Sequence, residues 1–407
     1  MSKRYDAMIA VGNKQYEELF QESLQLKSVQ EKIEFCEHAM IKAFILSQTQ
    51  ALYCTEMTYA SKIAKKLKKM YGDKYNAETL VQSLPRCVSQ QLTINLNELA
   101  KFFSENMLEP NVEHAEFKRL LAKFGHRSSY ELDFGAKRWA EDPAYLLNQV
   151  KSFMHNKMYE RNLADIQHKR DKAEKLITDV YCEMKRDYGE KRAQKFKETM
   201  LAYRTAAGMR EYPKFDIVRF ISLGRKVALS VGEEYVKQGL INNKYDLFFL
   251  RKVEILTKQN LKEKVKNNKE EYSREMKRSS VPRIVLNTGE TIYSVSKIDP
   301  NSKNLQGSAL SPGVYEGVIK IVFDPHKALL KEGEIMVTES TNPAWTPLFA
   351  TAGALIMEYG GPMSHGGIVA REYGIPAVVG ISALKSRLKD GDRVRVDGST
   401  GVVTILE

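Results

Sequence analysis

The hydrophobic period changes once along this chain, near residue 280, and that change constrains the fold more than any other feature. Before it, apolar residues recur every three or four positions, as in EKIEFCEHAMIKAFILSQTQALYCTEM and FDIVRFISLGRKVALSVGEEYVKQGL, the spacing that lines one side of a helix. After residue 312 short alternating runs stand between glycines: GVYEGVIKIVF, GEIMVTES, GALIMEYG, DRVRVDG and GVVTILE. Alternation of that kind is the two-residue period of strands. The last 101 residues also hold 14 of the 24 glycines. The chain therefore reads as multidomain: a mainly α region over residues 1–280, a linker over 281–306, and a compact α/β domain over 307–407. The linker segment is polar and punctuated by Pro and Gly. A tether of about 30 residues spans roughly 30 Å as a coil and up to about 100 Å when extended, so the small domain has room to travel.

Within the helical region, RWAEDPAYLLNQVKSFM predicts a helix entered at Pro143 with Asp142 as its cap. One long helical stretch is expected from Tyr159 to Gly208. REYPKF then interrupts, a further helix runs to KQGL, and NKYDLFFL reads as a short turn or extended piece leading into another helix.

The net charge of +12 raises the question of nucleic acid, and its layout argues against it. Residues 307–407 carry nine basic and eleven acidic side chains, a net −2, which leaves +14 on residues 1–306. That excess lies on helical segments such as NLKEKVKNNKEEYSREMKR, where Glu and Lys alternate without an aromatic ladder. It suits a solvated helix face or an acidic protein partner. Cys36, Cys54, Cys87 and Cys182 have no CxxC spacing, so they read as core thiols and not as a disulfide framework or a metal site. No apolar run is long enough to span a bilayer and no secretory leader is recognisable, so a soluble, cytoplasmic protein is expected.

The segment GGPMSHGGIVAREYGIPAVVG, residues 360–380, sets one histidine, His365, between two glycine pairs. Gly360 and Gly361 free the backbone to turn, and Gly366 and Gly367 keep Cβ atoms from whatever approaches the ring. GGIVAREYG reads as a short helix stopped by Gly374 with Pro376 beyond, and Ser364 is placed to cap it. An imidazole at a helix N-terminus is held neutral by the positive dipole end, and the same N–H groups suit phosphate oxygens. Arg371, six residues on, is a surface charge or returns toward that phosphate. A metal role for His365 lacks a second histidine at i+3 or i+4, and GxSxG, GxxxxGK[ST] and GxGxxG are all absent. A general base stays open, and a nucleophile that carries a phosphoryl group fits best.

This loop resembles the phosphohistidine signature of the swivelling (β/β/α) domain shared by phosphoenolpyruvate synthase, pyruvate phosphate dikinase and rifampin phosphotransferase. GSALSPGVYEGVIKIV, IMVTES and TNPAWTPLFATAGALIMEYGG are similar to the same domain, so the resemblance covers about the last 100 residues. KFGHRSSYELDFGAKRWAEDP and the stretch from MREYPKF to NKYDLFFL are similar to the helical substrate domain of rifampin phosphotransferase. With SLPRCVSQQLTINLNELAKFF, that likeness spans roughly residues 83–256, and residues 1–80 match only as generic helices.

The resemblance implies a dikinase-type phosphotransferase. His365 would take the β-phosphoryl of ATP, and the domain would swing to an acceptor hydroxyl, with AMP and phosphate as co-products. An ATP-grasp domain, which precedes these units in rifampin phosphotransferase, is not recognisable here, so no cofactor is expected on this chain. ATP and Mg are expected on a separate ATP-grasp subunit, without which the chain would be inactive. In GMREYPKF, Arg210 offers a fork for phosphate oxygens, Lys214 a point charge and Glu211 a base. Arg127 and Glu131 in GHRSSYELDF read either as a structural ion pair or as a substrate clamp, and Arg138 and Trp139 as packing residues. A phosphocarrier or regulatory protein, or a binding protein that no longer transfers phosphate, is the alternative.

Overall fold

The computed structural model describes residues 2–406 apart from 53–57, 279–281, 283, 293–301, 326–327, 329, 363 and 382–383. Eleven α-helices of the described residues come first: α1 (Ser2–Ser23), α2 (Val29–Ala51), α3 (Tyr59–Tyr71), α4 (Val88–Glu105), α5 (Ala115–Phe124), α6 (Ala144–Met154), α7 (Met158–Tyr188), α8 (Glu190–Met209), α9 (Tyr212–Lys237), α10 (Lys252–Thr257) and α11 (Leu261–Glu275). Helix α2 starts at a capping box, in which the Ser28 hydroxyl accepts from the Glu31 N–H and the Glu31 carboxylate accepts from the Ser28 N–H. Its Phe35, Ala39, Ala43 and Leu46 pack against Phe220, Leu223, Val227 and Val231 of α9. A second core joins α4, α5 and α6 through Leu96, Phe103, Phe117, Phe124, Leu146 and the fully buried Trp139. Burial of each such large apolar side chain stabilises the fold by roughly 1.5–3 kcal/mol.

Local expectations are refined at three places. The stretch from 159 to 208 is two helices, broken at Gly189, whose φ of 83° lies in the left-handed region. Pro143 itself occupies the cap position of α6, so the Asp142 carboxylate makes no cap there. NKYDLFFL forms a 3₁₀ turn, Lys244–Phe249, ahead of α10. Between α8 and α9 only Arg210 and Glu211 intervene, because Pro213 fits the first turn of the new helix. Of the cysteines, Cys36 and Cys87 are buried and burial pushes their thiols up, but Cys182 on α7 is exposed, and Cys54 lies outside the described residues. No helix among the described residues is long and apolar enough to cross a membrane.

The remaining elements are β1 (Ile284–Val285) and β2 (Thr291–Ile292), a small antiparallel pair, then β3 (Asn304–Gln306), β4 (Ser308–Ser311), β5 (Val314–Ile321), β6 (Ile335–Thr338), α12 (Thr346–Phe349), β7 (Ala354–Met357), α13 (His365–Tyr373), β8 (Ala377–Val379), α14 (Leu384–Arg387), β9 (Arg393–Asp397) and β10 (Val402–Ile405). The linker expected over 281–306 thus contains the small pair, and its last three residues, β3, already belong to the sheet. That eight-stranded sheet has the order β3-β10-β9-β5-β6-β7-β8-β4, with β5 to β8 parallel and the flanking pairings antiparallel. Strands β6 and β7 are buried on both faces. Met336, Leu355 and Met357 pack toward α12 and α13, while Ile335, Val337 and Ile356 pack toward α14 and the neighbours of Val394 and Val403. Two layers on one sheet explain why these runs are apolar throughout.

The face carrying α12 and α13 lies on the helical region. Ala344 completes the α4–α6 core, and the Tyr145 hydroxyl donates to its carbonyl at 3.1 Å. The Tyr373 hydroxyl meets Thr93 Oγ1 at 2.8 Å, Lys169 Nζ donates to the Tyr373 carbonyl at 2.6 Å, and Asn342 Nδ2 donates to the Ser129 carbonyl.

Candidate functional site at the domain contact

His365 is the first residue of α13, just beyond the carboxyl end of β7, the usual place for ligands on parallel strands. Ser364 caps the helix: its hydroxyl oxygen accepts from the N–H groups of Gly367 at 3.4 Å and Gly361 at 3.2 Å and donates to the Gly361 carbonyl at 2.7 Å. Gly374 ends the helix in the left-handed conformation. The glycines do different work from what their spacing suggests. Gly360 has φ 146°, which few other residues adopt. A Cβ at Gly366 would meet Met357 Sδ and Thr341 Oγ1 at 2.6 Å, and one at Gly367 would meet the Gly361 carbonyl oxygen at 2.8 Å. Both are therefore small so that the loop packs on its own domain, whereas Gly361 faces open space.

The ring is half-buried and not open. Thr341 Oγ1 lies 3.3 Å from Nδ1 and Thr346 Oγ1 lies 3.4 Å from Nε2, with the Phe349 ring edge-on at 6.1 Å. The Thr346 hydroxyl donates to the Pro343 carbonyl at 2.7 Å, so toward the ring it accepts. Burial, then the charges of Lys214, Arg210 and Arg127, hold the imidazole well below its ordinary pKa against the opposing charge of Glu131. The ring is neutral at pH 7, for reasons that go beyond the helix terminus.

The helical region supplies two charged groups beside it. In the first, Arg127 Nε donates to Glu131 Oε1 at 2.7 Å and Lys214 Nζ stands 3.1 Å from Glu131 Oε2. Burial pushes Glu131 up, but Arg127 and Lys214 overcome it and keep the carboxylate below the usual range. Arg138 donates to the Glu131 and Asp133 carbonyls, which fixes this turn from behind. In the second, Arg210 Nε donates to Glu211 Oε1 at 3.1 Å, and Arg210 Nη2 reaches across the domain boundary to 3.7 Å from Glu372 Oε1 on α13. Burial raises Glu372 to about 7, with Arg210 opposing.

Of the residues singled out in the sequence, His365, Arg127, Glu131, Arg210, Glu211 and Lys214 meet at this contact. Arg371 does not return to the ring: its guanidinium donates to the carbonyls of Leu310, at 3.0 Å, and Pro362, and so braces the loop. Thr341, Thr346 and Glu372 were not anticipated. The two threonines sit in TNPAWTP right after β6, where hydroxyls at the carboxyl end of a parallel strand were the available signal. Glu372 carried none, since a lone carboxylate on a short helix reads as surface charge. Among the described residues no group of three or more His, Cys, Asp or Glu is placed to hold a metal ion.

Comparison with known proteins finds a match for both regions of the chain. The profile of the PEP-utilising enzyme mobile domain matches residues 330–401, and that of the rifampicin phosphotransferase fourth domain matches residues 50–211. Rifampicin phosphotransferase of Bacillus subtilis is 30% identical over 399 residues, 88% of this chain and 44% of that protein. The Bacillus cereus protein of the same name is 28% identical over 400 residues, 90% of this chain and 45% of its own length. A probable phosphoenolpyruvate synthase of Staphylothermus marinus is 43% identical over 113 residues, 27% of this chain and 14% of that protein. The likeness thus reaches further toward the N-terminus than residue 83, and the chain spans a little under half the length of the rifampicin phosphotransferases it matches. By its two matched units, the helical fourth domain and the mobile domain, the chain belongs to the rifampicin phosphotransferase and phosphoenolpyruvate-utilising family.

Proposed function

We propose that this chain is the acceptor side of a dikinase-type phosphotransferase, with His365 as the phosphoryl carrier. The observation that carries the reading is one neutral imidazole, at the N-terminus of α13, set beneath Lys214, Arg210 and Arg127 at a contact between two domains. Neutrality leaves a ring lone pair for attack on phosphorus, and the cations and helix N–H groups suit the phosphoryl oxygens.

In this reading ATP is held by an ATP-grasp unit outside these 407 residues, together with the Mg that accompanies it. A ring nitrogen of His365 attacks the β-phosphorus, the bond to the α-phosphate oxygen breaks, and AMP leaves. Water removes the γ-phosphate as inorganic phosphate, which leaves phosphohistidine. Once docked as in this structure, an acceptor hydroxyl attacks that phosphorus, the P–N bond breaks with its electron pair returning to the ring, and the hydroxyl proton passes to Glu211. Arg210 and Lys214 hold the transferring oxygens, and Arg127 fixes Glu131, which in turn holds Lys214 in place. The half-buried ring fits the second station of such a relay, where water is kept from the P–N bond.

The test is to incubate the chain with an ATP-grasp unit from the family and ATP labelled at the β-position. Label is expected on His365 and is expected to vanish in His365→Ala. Absence of label in the native chain with every donor tried would leave a binding role instead.

A further inference from the structure

Helix α3 carries Lys62, Lys65, Lys66, Lys68 and Lys69 and no acidic residue in its 13 positions. All five lysines are exposed, while Ile63 and Leu67 are buried in one core with Leu176 and Val180 of α7 and Phe196 of α8. Lys66 Nζ stands 4.3 Å from the centre of the Phe196 ring, so the two helices run close here. Lys62, Lys66 and Lys69 follow at i, i+4 and i+7 and form one row along α3, and the exposed Arg192 and Lys195 form a second on α8. The rows face each other: burial first, then Arg192 and Lys195, hold the Lys66 ammonium below its ordinary pKa. None of these seven cations has an ion pair among the described residues. The nearby carboxylates Glu183, Glu190 and Asp187 are taken by Lys74, Lys185 and Arg186. Glu56, the acidic residue of the stretch 53–57 that is not described, is one charge against seven. Like charges at i, i+3 and i, i+4 destabilise a helix, and no ion pair within the chain offsets that.

From these two rows we infer that the seam between α3 and α8 is a docking surface for an acidic face of another protein. The occupant is the ATP-holding unit, and that identity rests on the phosphotransfer reading above. The surface lies wholly inside the matched helical unit, residues 50–211, and the rifampicin phosphotransferases that contain this unit are more than twice the length of the match. In those proteins the unit thus has a large further part to meet. Two other polyanions fit less well. Six of the seven cations are lysine, a point charge, whereas phosphate is held best by the arginine fork, and neither α3 nor the first three turns of α8 exposes an aromatic ring on which a base could stack. A membrane surface asks for apolar side chains beside the cations, and those of α3 point into the core. A row of unpaired cations steers an acidic partner from a distance and leaves His365, on the mobile domain, free to travel.

The test measures association of the full chain with the ATP-grasp unit by biolayer interferometry, without ATP, at about 50 and 200 mM salt. The native chain is expected to bind, and to bind at least about tenfold more weakly at the higher salt. The triple variant Lys62→Glu, Lys69→Glu, Lys195→Glu changes exposed positions alone and is expected to lose at least about tenfold in affinity at the lower salt, together with most of the salt dependence. Lys262→Glu, Lys266→Glu, Lys277→Glu, on α11 and the turn after it, has the same net charge and is expected to bind like the native chain. No binding of the native chain, or an equal loss in both triple variants, overturns the surface. A DNA duplex of about 20 base pairs and phosphatidylserine vesicles are run beside it, and tighter binding of either at the higher salt, abolished by the first triple variant, overturns the protein partner. His365 labelling from β-labelled ATP is scored in parallel. Binding without label upholds the surface and overturns the transfer reading, while label with undiminished affinity in the first triple variant upholds the transfer and overturns the surface.

Discussion

Two buried carboxylates at the domain contact are held in opposite ways. Glu131 belongs to the helical region and sits between two cations of that same region, Arg127 and Lys214, so none of its counterions comes from the mobile domain. Glu372 belongs to the mobile domain and its strongest cation is Arg210, 3.7 Å away across the boundary, with Arg371 of its own domain acting more weakly, while Glu211 competes for Arg210 at 3.1 Å. Burial pushes both up, and only Glu131 has enough positive charge to reverse the shift. In the proposed relay, a charged group that must survive undocking is compensated within its own domain. One that is compensated across a boundary stays near neutrality, and its protonation state becomes part of the docking equilibrium.

The largest effect should come from breaking the internally compensated group. Glu131→Ala leaves Arg127 and Lys214 beside each other without a counterion, one of them fully buried. Loss of one partner of a buried ion pair typically costs about 3–5 kcal/mol. Chemical denaturation should show a loss of about 3 kcal/mol, equal at pH 6 and pH 8. The depressed pKa of Glu131 gives stability that is present above the ordinary carboxylate range and lost only in acid, below both of those values. A loss under about 1 kcal/mol would mean that Glu131 is a substrate clamp carried at little structural cost.

An intermediate effect is expected from Glu372. Its pKa rises from the ordinary 4.5 to about 7 when buried, so docking takes up a proton across that interval. The groups that face it are Arg210, Glu211 and Arg371, with the Cys87 thiol 4.0 Å from Oε2. The docked form is therefore favoured at low pH, weakens by up to about tenfold per unit between about pH 4.5 and 7, and levels off above. Fluorescence transfer between labels on α7 and on the mobile domain measures the docked fraction. Glu372→Gln should flatten that curve and leave more docked protein at pH 8, and an unchanged slope in the variant would assign the pH dependence to another group.

Much of this site was legible in the sequence, for reasons the residues make plain. The loop around His365 is local: glycine pairs, a capping serine and a glycine stop lie within fifteen residues and fix the helix start without help from the rest of the chain. Arg210, Glu211 and Pro213 were readable for the same reason, since a proline in a first turn marks the joint that presents them. What escaped was set by tertiary contact. Thr341 and Thr346 act on the ring only because β6 and α13 are brought together by a parallel sheet, and Glu372 is buried only because a second domain lies on it. The role given to Gly366 and Gly367 was misread likewise, because the atoms they make room for, on Met357, Thr341 and Gly361, come from elsewhere in the domain. Arg371 shows the converse: its spacing allowed a phosphate contact, and two carbonyls of its own domain claimed it.

The smallest effect should come from another ion pair that crosses the boundary, Arg161 with Glu332, and it separates charge from burial in the comparison above. Both side chains are well exposed, at 69% and 40%. Water screens such a pair and ordering two long side chains offsets part of the attraction, so exposed pairs are worth about 0–1 kcal/mol. Arg161→Ala should thus change the docked fraction by less than about fivefold at any pH, and added salt should erase even that difference. Its pH curve should keep the slope of the native chain. If Arg161→Ala instead undocks the mobile domain as strongly as a change at Arg210 does, then crossing the boundary is what gives these contacts their weight, and the burial of Glu372 is incidental.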